Sequence, residues 1–177
     1  IRRVTGAERV FVSNHLVRTE QPTSFNDGYA RFVHCDYNLR RLREMSEDLL
    51  DKNEITPQEK WVYVWYNTWQ PFDNVVENNP LAFIDWESLP IDDVIDYYYT
   101  GYGSANLVAA PVYNPVHKFF YVPRMATDEV LVIKQLDSRL GHSAYCPHTS
   151  FDDPTAELDS LPRRSIETRL LGVFEGN

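Results

Sequence analysis

One stretch of this chain, 38–52, carries a helical repeat, and it stands alone. Leu39, Leu42, Met45, Leu49 and Leu50 recur at three- and four-residue spacing with charges between them, which places them on one helix face. Asn38 is positioned to cap the start, and Thr56-Pro57 breaks the chain away from helix after Lys52. The other apolar runs are short and rich in β-branched and aromatic residues: 9–18, 29–37, 60–69, 81–86, 118–123, 129–136 and 164–174. A parallel α/β sheet requires helices alternating with strands, so a solitary helix argues against it. The pattern predicts a mainly β chain, a single antiparallel barrel or sandwich with one or two flanking helices.

The stretches between these runs read as turns and loops: 22–28, 70–80 closed by Pro80, 101–105, and a loop through Gly141. Residues 88–99 are ambiguous, since Leu89, Ile91, Val94 and Ile95 permit a helical turn that Asp96 and three tyrosines do not require. At 177 residues the chain fits one domain, 1–177, with a sizeable core. It begins at Ile1 rather than Met, which we read as N-terminal truncation.

A net charge of −9 argues against a nucleic-acid surface. Arg40, Arg41 and Arg43 form the one notable basic cluster and fit the solvated face of the helix. Cys35 and Cys146 make neither a disulfide framework nor a metal-type cysteine spacing, which suits a reducing, cytoplasmic setting. No apolar run approaches membrane-spanning length. The expected partners are therefore small molecules, with neither nucleic acid nor membrane, and a homodimer is the candidate assembly.

Two motifs carry chemistry. In Phe32-Val33-His34-Cys35-Asp36-Tyr37, His34 and Asp36 stand two residues apart, so on an extended backbone they share a face. With a second histidine from elsewhere they make a two-histidine, one-carboxylate face, the arrangement suited to non-haem Fe(II). His117, His142 and His148 are the candidates for that third position. His148 is preferred because Pro147 and Thr149 place it at a strand entry; His142 follows a glycine in a loop, and His15 reads as a packed strand residue. The second motif is Arg163-Arg164-Ser165, in which Arg163 and Ser165 share a strand face and offer a guanidinium fork with a hydroxyl. Such a pair grips a carboxylate terminus, although an ordinary salt bridge to one of the many acidic residues explains the arginine equally well. Trp61, Tyr63, Trp65 and Tyr121 suit either an apolar pocket or a packed core.

Further segments recur in order: Asn67-Thr68-Trp69-Gln70-Pro71, Pro80-Leu81-Ala82 with Asp85, and Asn114 to His117 leading to 120–125. Asp128-Glu129, Lys134, Asp137-Ser138, the run 147–154 and the run 162–169 complete the series. From about residue 30 onward the chain resembles the CmcJ/NvfI-like oxidoreductases, a family related to the small chain of 7-alpha-cephem-methoxylase. That resemblance implies a double-stranded β-helix (jelly-roll, cupin-like) and an Fe(II)/2-oxoglutarate-dependent oxygenase of secondary metabolism. It assigns the metal to His34, Asp36 and His148, drawn from segments 30–37 and 145–170. It assigns 2-oxoglutarate to Arg163 and Ser165, with Arg169 as the alternative anchor. O₂ and a small-molecule substrate are the implied partners, with His117, Tyr121 and Asn67 as candidate substrate contacts. Hydroxylation is the expected outcome, with desaturation or ring formation as variants. The competing readings are a non-catalytic or accessory binding member of the family, and a metal-bound cupin-like enzyme that needs no oxo acid.

Overall fold

The computed structural model describes residues 1–21, 28–100 and 106–176. Its strands are β1 (Arg9–Arg18), β2 (Trp61–Pro71), β3 (Leu81–Ile84), β4 (Val94–Tyr99), β5 (Asn106–Pro111), β6 (Phe119–Tyr121), β7 (Leu131–Asp137), β8 (His148–Ser150) and β9 (Ser165–Glu175). A single turn, α1 (Arg2–Thr5), precedes them, and α2 (Leu42–Lys52) follows a 3-10 turn at Leu39–Arg41. The expected helix thus starts as a tighter turn, and the Asn38 side chain accepts from the Arg40 N–H at 2.9 Å, the capping role its position suggests. The loops expected at 22–28 and 101–105 lie outside the described residues, apart from Gly28.

Four strands form one antiparallel sheet in the order β1-β9-β2-β7. Along β2, Trp61, Tyr63, Trp65, Asn67, Trp69 and Pro71 are all buried, the period-two signature of a face turned inward. They sit opposite Glu175, Val173, Leu171, Arg169, Glu167 and Ser165 of β9. The shared inner face is therefore apolar at one end and polar at the other. At the apolar end Trp61, Tyr63, Trp65, Leu171 and Val173 pack with Leu42, Leu49 and Leu50 of α2. The aromatic stock on β2 is core there, and the Trp65 indole N–H donates to the buried Ser46 hydroxyl of α2 at 3.0 Å. A second cluster joins Trp69 and Ile133 of this sheet to Leu81 and Phe83 of β3. Asn67 lies between the two clusters. On the outer face the Tyr66 ring covers Gly172, where a Cβ would stand 2.9 Å from the ring edge.

The opposing layer is made of two small sheets, β6-β3-β8 and β4-β5. Two residues sew them together. His34 and His148 exchange backbone hydrogen bonds at 3.1 and 3.0 Å, while the Cys35 N–H turns the other way to the Ala109 carbonyl at 2.8 Å. The strand expected over 29–37 is thus a two-residue splice between β8 and β5, because successive backbone groups point to opposite edges and each edge holds a different partner. Residues 88–99 resolve into a 3-10 turn at Ile91–Asp93 followed by β4, and β5 is an element the hydrophobic pattern did not announce. The two facing layers, with α2 on the flank, form the expected jelly-roll.

Candidate metal centre

His34, Asp36 and His148 converge, with one ligand atom from each lying within 4.8 Å of the others. His34 and Asp36 come from the splice and His148 from the start of β8. The rung that pairs His34 with His148 puts both side chains on one face, with ring centroids 4.7 Å apart. Asp36, two residues on, returns to that face, and its Oδ1 is 3.6 Å from His34 Nε2. Cys35 between them turns away and is fully buried in the core.

Each imidazole is oriented by a backbone carbonyl two residues upstream. His34 Nδ1 meets the Phe32 carbonyl at 2.9 Å, and His148 Nδ1 meets the Cys146 carbonyl at 3.0 Å. A carbonyl only accepts, so Nδ1 carries a proton in each ring and Nε2 is the nitrogen turned to the centre, the one left for a metal. Burial pulls His148 down to about 4, which keeps its imidazole neutral at ordinary pH. On His34, burial opposes charge, but the hydrogen bond and charge of Asp36 more than offset it and raise the group.

Asp36 is held as a carboxylate. Burial alone would raise it, yet the Arg169 guanidinium, with His34 and His148, keeps it far below the usual carboxylate range. Arg169 Nη2 is 3.4 Å from Asp36 Oδ1, and its Nε donates to Glu167 Oε1 at 2.8 Å. Asn67 Nδ2 donates to Asp36 Oδ2 at 2.6 Å. Two imidazoles on one side of a fixed carboxylate make a donor set that suits Fe(II).

A narrow cavity of about 20 Å³ adjoins this centre and is lined by His34, His148, Arg163 and Glu167 among others. Arg163 is almost wholly buried, with its guanidinium 4.1 Å from the Tyr29 ring centroid and 5.4 Å from that of Trp69. Its Nη1 donates to the Asn79 carbonyl, but Nε and Nη2 have no partner, and neither does the buried hydroxyl of Ser165. Among the described residues, Arg163 makes no salt bridge. Burial draws the guanidinium down to about 10, so it stays charged at neutral pH. Orphaned buried donors of this kind fit an incoming carboxylate, since an unpartnered polar group is costly until something accepts from it. Arg169, the alternative anchor, is instead engaged by Glu167 and Asp36.

A wider cleft of about 710 Å³ opens on the other side of His34 and Asp36, and shares Arg18, Ala30 and His34 with the narrow cavity. Neither His117 nor Tyr121 lines it. His117 Nε2 instead meets Asp93 Oδ2 at 2.8 Å, beside the Asn114 amide at 2.9 Å, in a loop tied to β4. Tyr121 sits on the exposed strand β6 against Phe151. Asn67 is not a surface contact but the partner of Asp36. His142 lies half-exposed near Asp137, and His15 is exposed on β1, where it meets the Thr168 hydroxyl rather than packing. Glu167, which fixes Arg169, carried no signal in the sequence, because its role depends on the inner-face register of β9.

The family model for the oxidoreductase/YMDC permease-like domain matches residues 1–174. The chain belongs to that family. No helix among the described residues is long and apolar enough to cross a membrane. The chain is 28% identical over 180 residues to the Fe(II)/2-oxoglutarate-dependent dioxygenase nvfI of Aspergillus novofumigatus, covering 99% of this chain and 64% of that protein. It is 32% identical over 201 residues to the hydroxylase/desaturase CTB9 of Cercospora beticola, covering 99% and 61%. The solved structure of the iron and alpha-ketoglutarate-dependent endoperoxidase NvfI matches with a TM-score of 0.88 at 27% identity, over 99% of this chain and 66% of that one. These relatives bear out the resemblance carried by the ordered motifs. The chain spans between 61% and 66% of the length of these three.

Proposed function

We propose that this chain is an Fe(II)/2-oxoglutarate-dependent oxygenase that oxidises a small-molecule secondary metabolite. The observation that carries this reading is the convergence of His34, Asp36 and His148 beside a cavity lined by Arg163, whose Nε and Nη2 have no partner among the described residues. His34, Asp36 and His148 would hold the iron, each offering one ligand atom. Arg163 takes the distal carboxylate of 2-oxoglutarate through Nε and Nη2, and Ser165 adds a hydroxyl donor. When bound, the iron couples decarboxylation of the oxo acid by O₂ to oxidation of a substrate C–H bond.

The protein's own part is positioning. Arg169 and Asn67 fix the Asp36 carboxylate, the Phe32 and Cys146 carbonyls fix the imidazoles, and Tyr29 with Trp69 sandwich the Arg163 fork. The cleft beside His34 and Asp36 receives the substrate, and its geometry there decides between hydroxylation, desaturation and ring formation. Two unpaired cysteines support a cytoplasmic setting.

The test measures metal and oxo acid separately, using Mn(II) as a redox-silent probe. Wild-type protein should bind one Mn(II), and His148→Ala or Asp36→Ala should lose it. Arg163→Lys, which keeps the charge and loses the fork, should retain Mn(II) and weaken 2-oxoglutarate at least about tenfold. Metal content unchanged in both alanine variants would refute the centre, and unchanged oxo-acid affinity in Arg163→Lys and Arg163→Gln would refute the anchor. Release of succinate from 2-oxoglutarate under air with Fe(II) completes the test; its absence in a protein that binds both would favour the non-catalytic reading.

A further inference from the structure

The wide cleft beside the candidate metal centre is electropositive in a chain that is acidic overall. Among the described residues, Arg18, Arg31, Arg41 and Arg169 line it against the single carboxylate of Asp36, although the sequence carries a net charge of −9. Two of the four are already paired. Arg169 is held by Glu167 and Asp36, and Arg31 Nη1 is 2.7 Å from Asp152 Oδ1. The other two have weaker partners. Arg18 donates to the Gly28 carbonyl at 2.9 Å, a neutral acceptor. Arg41 Nε stands 3.6 Å from Glu44 Oε2, within ion-pair distance but beyond hydrogen-bonding distance, and Glu44 is exposed, so the contact is worth little in water.

The remaining wall is apolar. Phe32 lies with its ring centroid 4.9 Å from that of His34 and 6.2 Å from that of Tyr97, and Leu107 and Val108 continue the surface. An apolar wall with two weakly partnered guanidinium forks is complementary to an apolar body carrying an acid group. Arg18 borders both the cleft and the narrow cavity, so it stands where either the substrate or the oxo acid could reach it. Arg41 borders the cleft and not the narrow cavity.

We propose that the substrate is an organic anion, a ring-containing apolar body packed on Phe32 and Tyr97 whose carboxylate pairs with Arg41. This names the substrate class of the site and rests on the function proposed above. Arg41 is then a specificity-determining residue at the end of the 3-10 turn that leads into α2, held in place by the Asn38 cap one turn earlier. The remote carboxylate fixes the orientation of the apolar body relative to His34 and Asp36.

The test is calorimetric titration of the Mn(II)-loaded chain with 1-naphthoate and with its neutral isostere 1-naphthamide, in the presence of saturating 2-oxoglutarate. Naphthoate should bind about tenfold tighter than the amide, the scale of one hydrogen-bonded ion pair. Arg41→Gln should abolish that preference while leaving Mn(II) and 2-oxoglutarate affinities unchanged, and Arg41→Lys should keep part of it. Equal affinity for the two probes, or binding of neither, would overturn the proposal. So would a preference that survives Arg41→Gln but disappears in Arg18→Gln, which would assign the anion site to Arg18. Failure of the underlying function appears separately, as loss of Mn(II) binding by the wild-type chain.

Discussion

Replacing Asn67 by alanine isolates the part of the site that the inner sheet face supplies. Asn67 is fully buried on β2 between the two core clusters, and its amide donates to Asp36 Oδ2 at 2.6 Å. The other oxygen, Oδ1, faces His34 Nε2 at 3.6 Å and Arg169 Nη2 at 3.4 Å. With the amide gone, the carboxylate loses the donor that holds Oδ1 toward the imidazoles and is free to rotate onto Arg169. A hydrogen bond to a charged group is worth about 1.5–3 kcal/mol, so a loss of about 2 kcal/mol is expected. That corresponds to roughly thirtyfold in affinity, within the about 10–100-fold range seen when a ligand's hydrogen-bond partner is removed. Mn(II) titration followed by the electron paramagnetic resonance of the free ion measures it. The melting temperature, recorded alongside, should fall by about 4–8 °C for a chain of this size. A Mn(II) affinity within about twofold of wild type, with the melting temperature lowered as expected, would refute the orienting role. Asn67 would then be a packed core amide and nothing more.

Other perturbations read different parts of the molecule. Gly172→Ala should destabilise by about 1–3 kcal/mol in chemical denaturation, because its Cβ would stand 2.9 Å from the buried Tyr66 ring, and a Tyr66→Leu background should recover part of the loss. His117→Ala should lower stability through the lost contact with Asp93 and leave Mn(II) affinity unchanged, which separates it from His34 and His148. Asp137 should shape the acid limb of stability. Burial alone would raise its carboxyl, but hydrogen bonds from the Arg139 guanidinium and amide, with Lys134 nearby, hold it below its ordinary value. A depressed native value means that its stabilisation is present above the unfolded value of about 3.9 and is lost as pH falls through the native one. Asp137→Asn should therefore be less stable than wild type at neutral pH and converge with it on acidification, as followed by urea midpoints across pH.

Much of this was legible from residues alone, for reasons that differ by element. β1, β2, β7 and β9 announce themselves as runs rich in β-branched and aromatic residues, and α2 because its leucines repeat at helical spacing. β5 was silent: Asn106-Leu107-Val108-Ala109-Ala110-Pro111 has little β-branched content and exists by pairing with β4. Residues 29–37 misled in the opposite sense, since an apolar run with β propensity supplies just two paired residues. The site divides in the same way. His34 and Asp36 are bound by a local two-residue spacing, so their shared face could be read directly. The roles of Asn67, Glu167 and Arg169 arise from register between strands distant in sequence, and no local pattern encodes that.

The rung between His34 and His148 makes the centre a clasp on the whole topology. Their main chains are joined before any ion arrives, so the ligands from opposite ends of the chain are brought together by strand pairing and not by the ion. A nascent chain that has made only His34 and Asp36 offers two donors and a weak grip. Full coordination arrives when β8 docks and closes the second layer. On the proposed reading, metal affinity would report completed closure, and the ion would stabilise the closed form by mass action, locking shut the seam that joins residues 34 and 148.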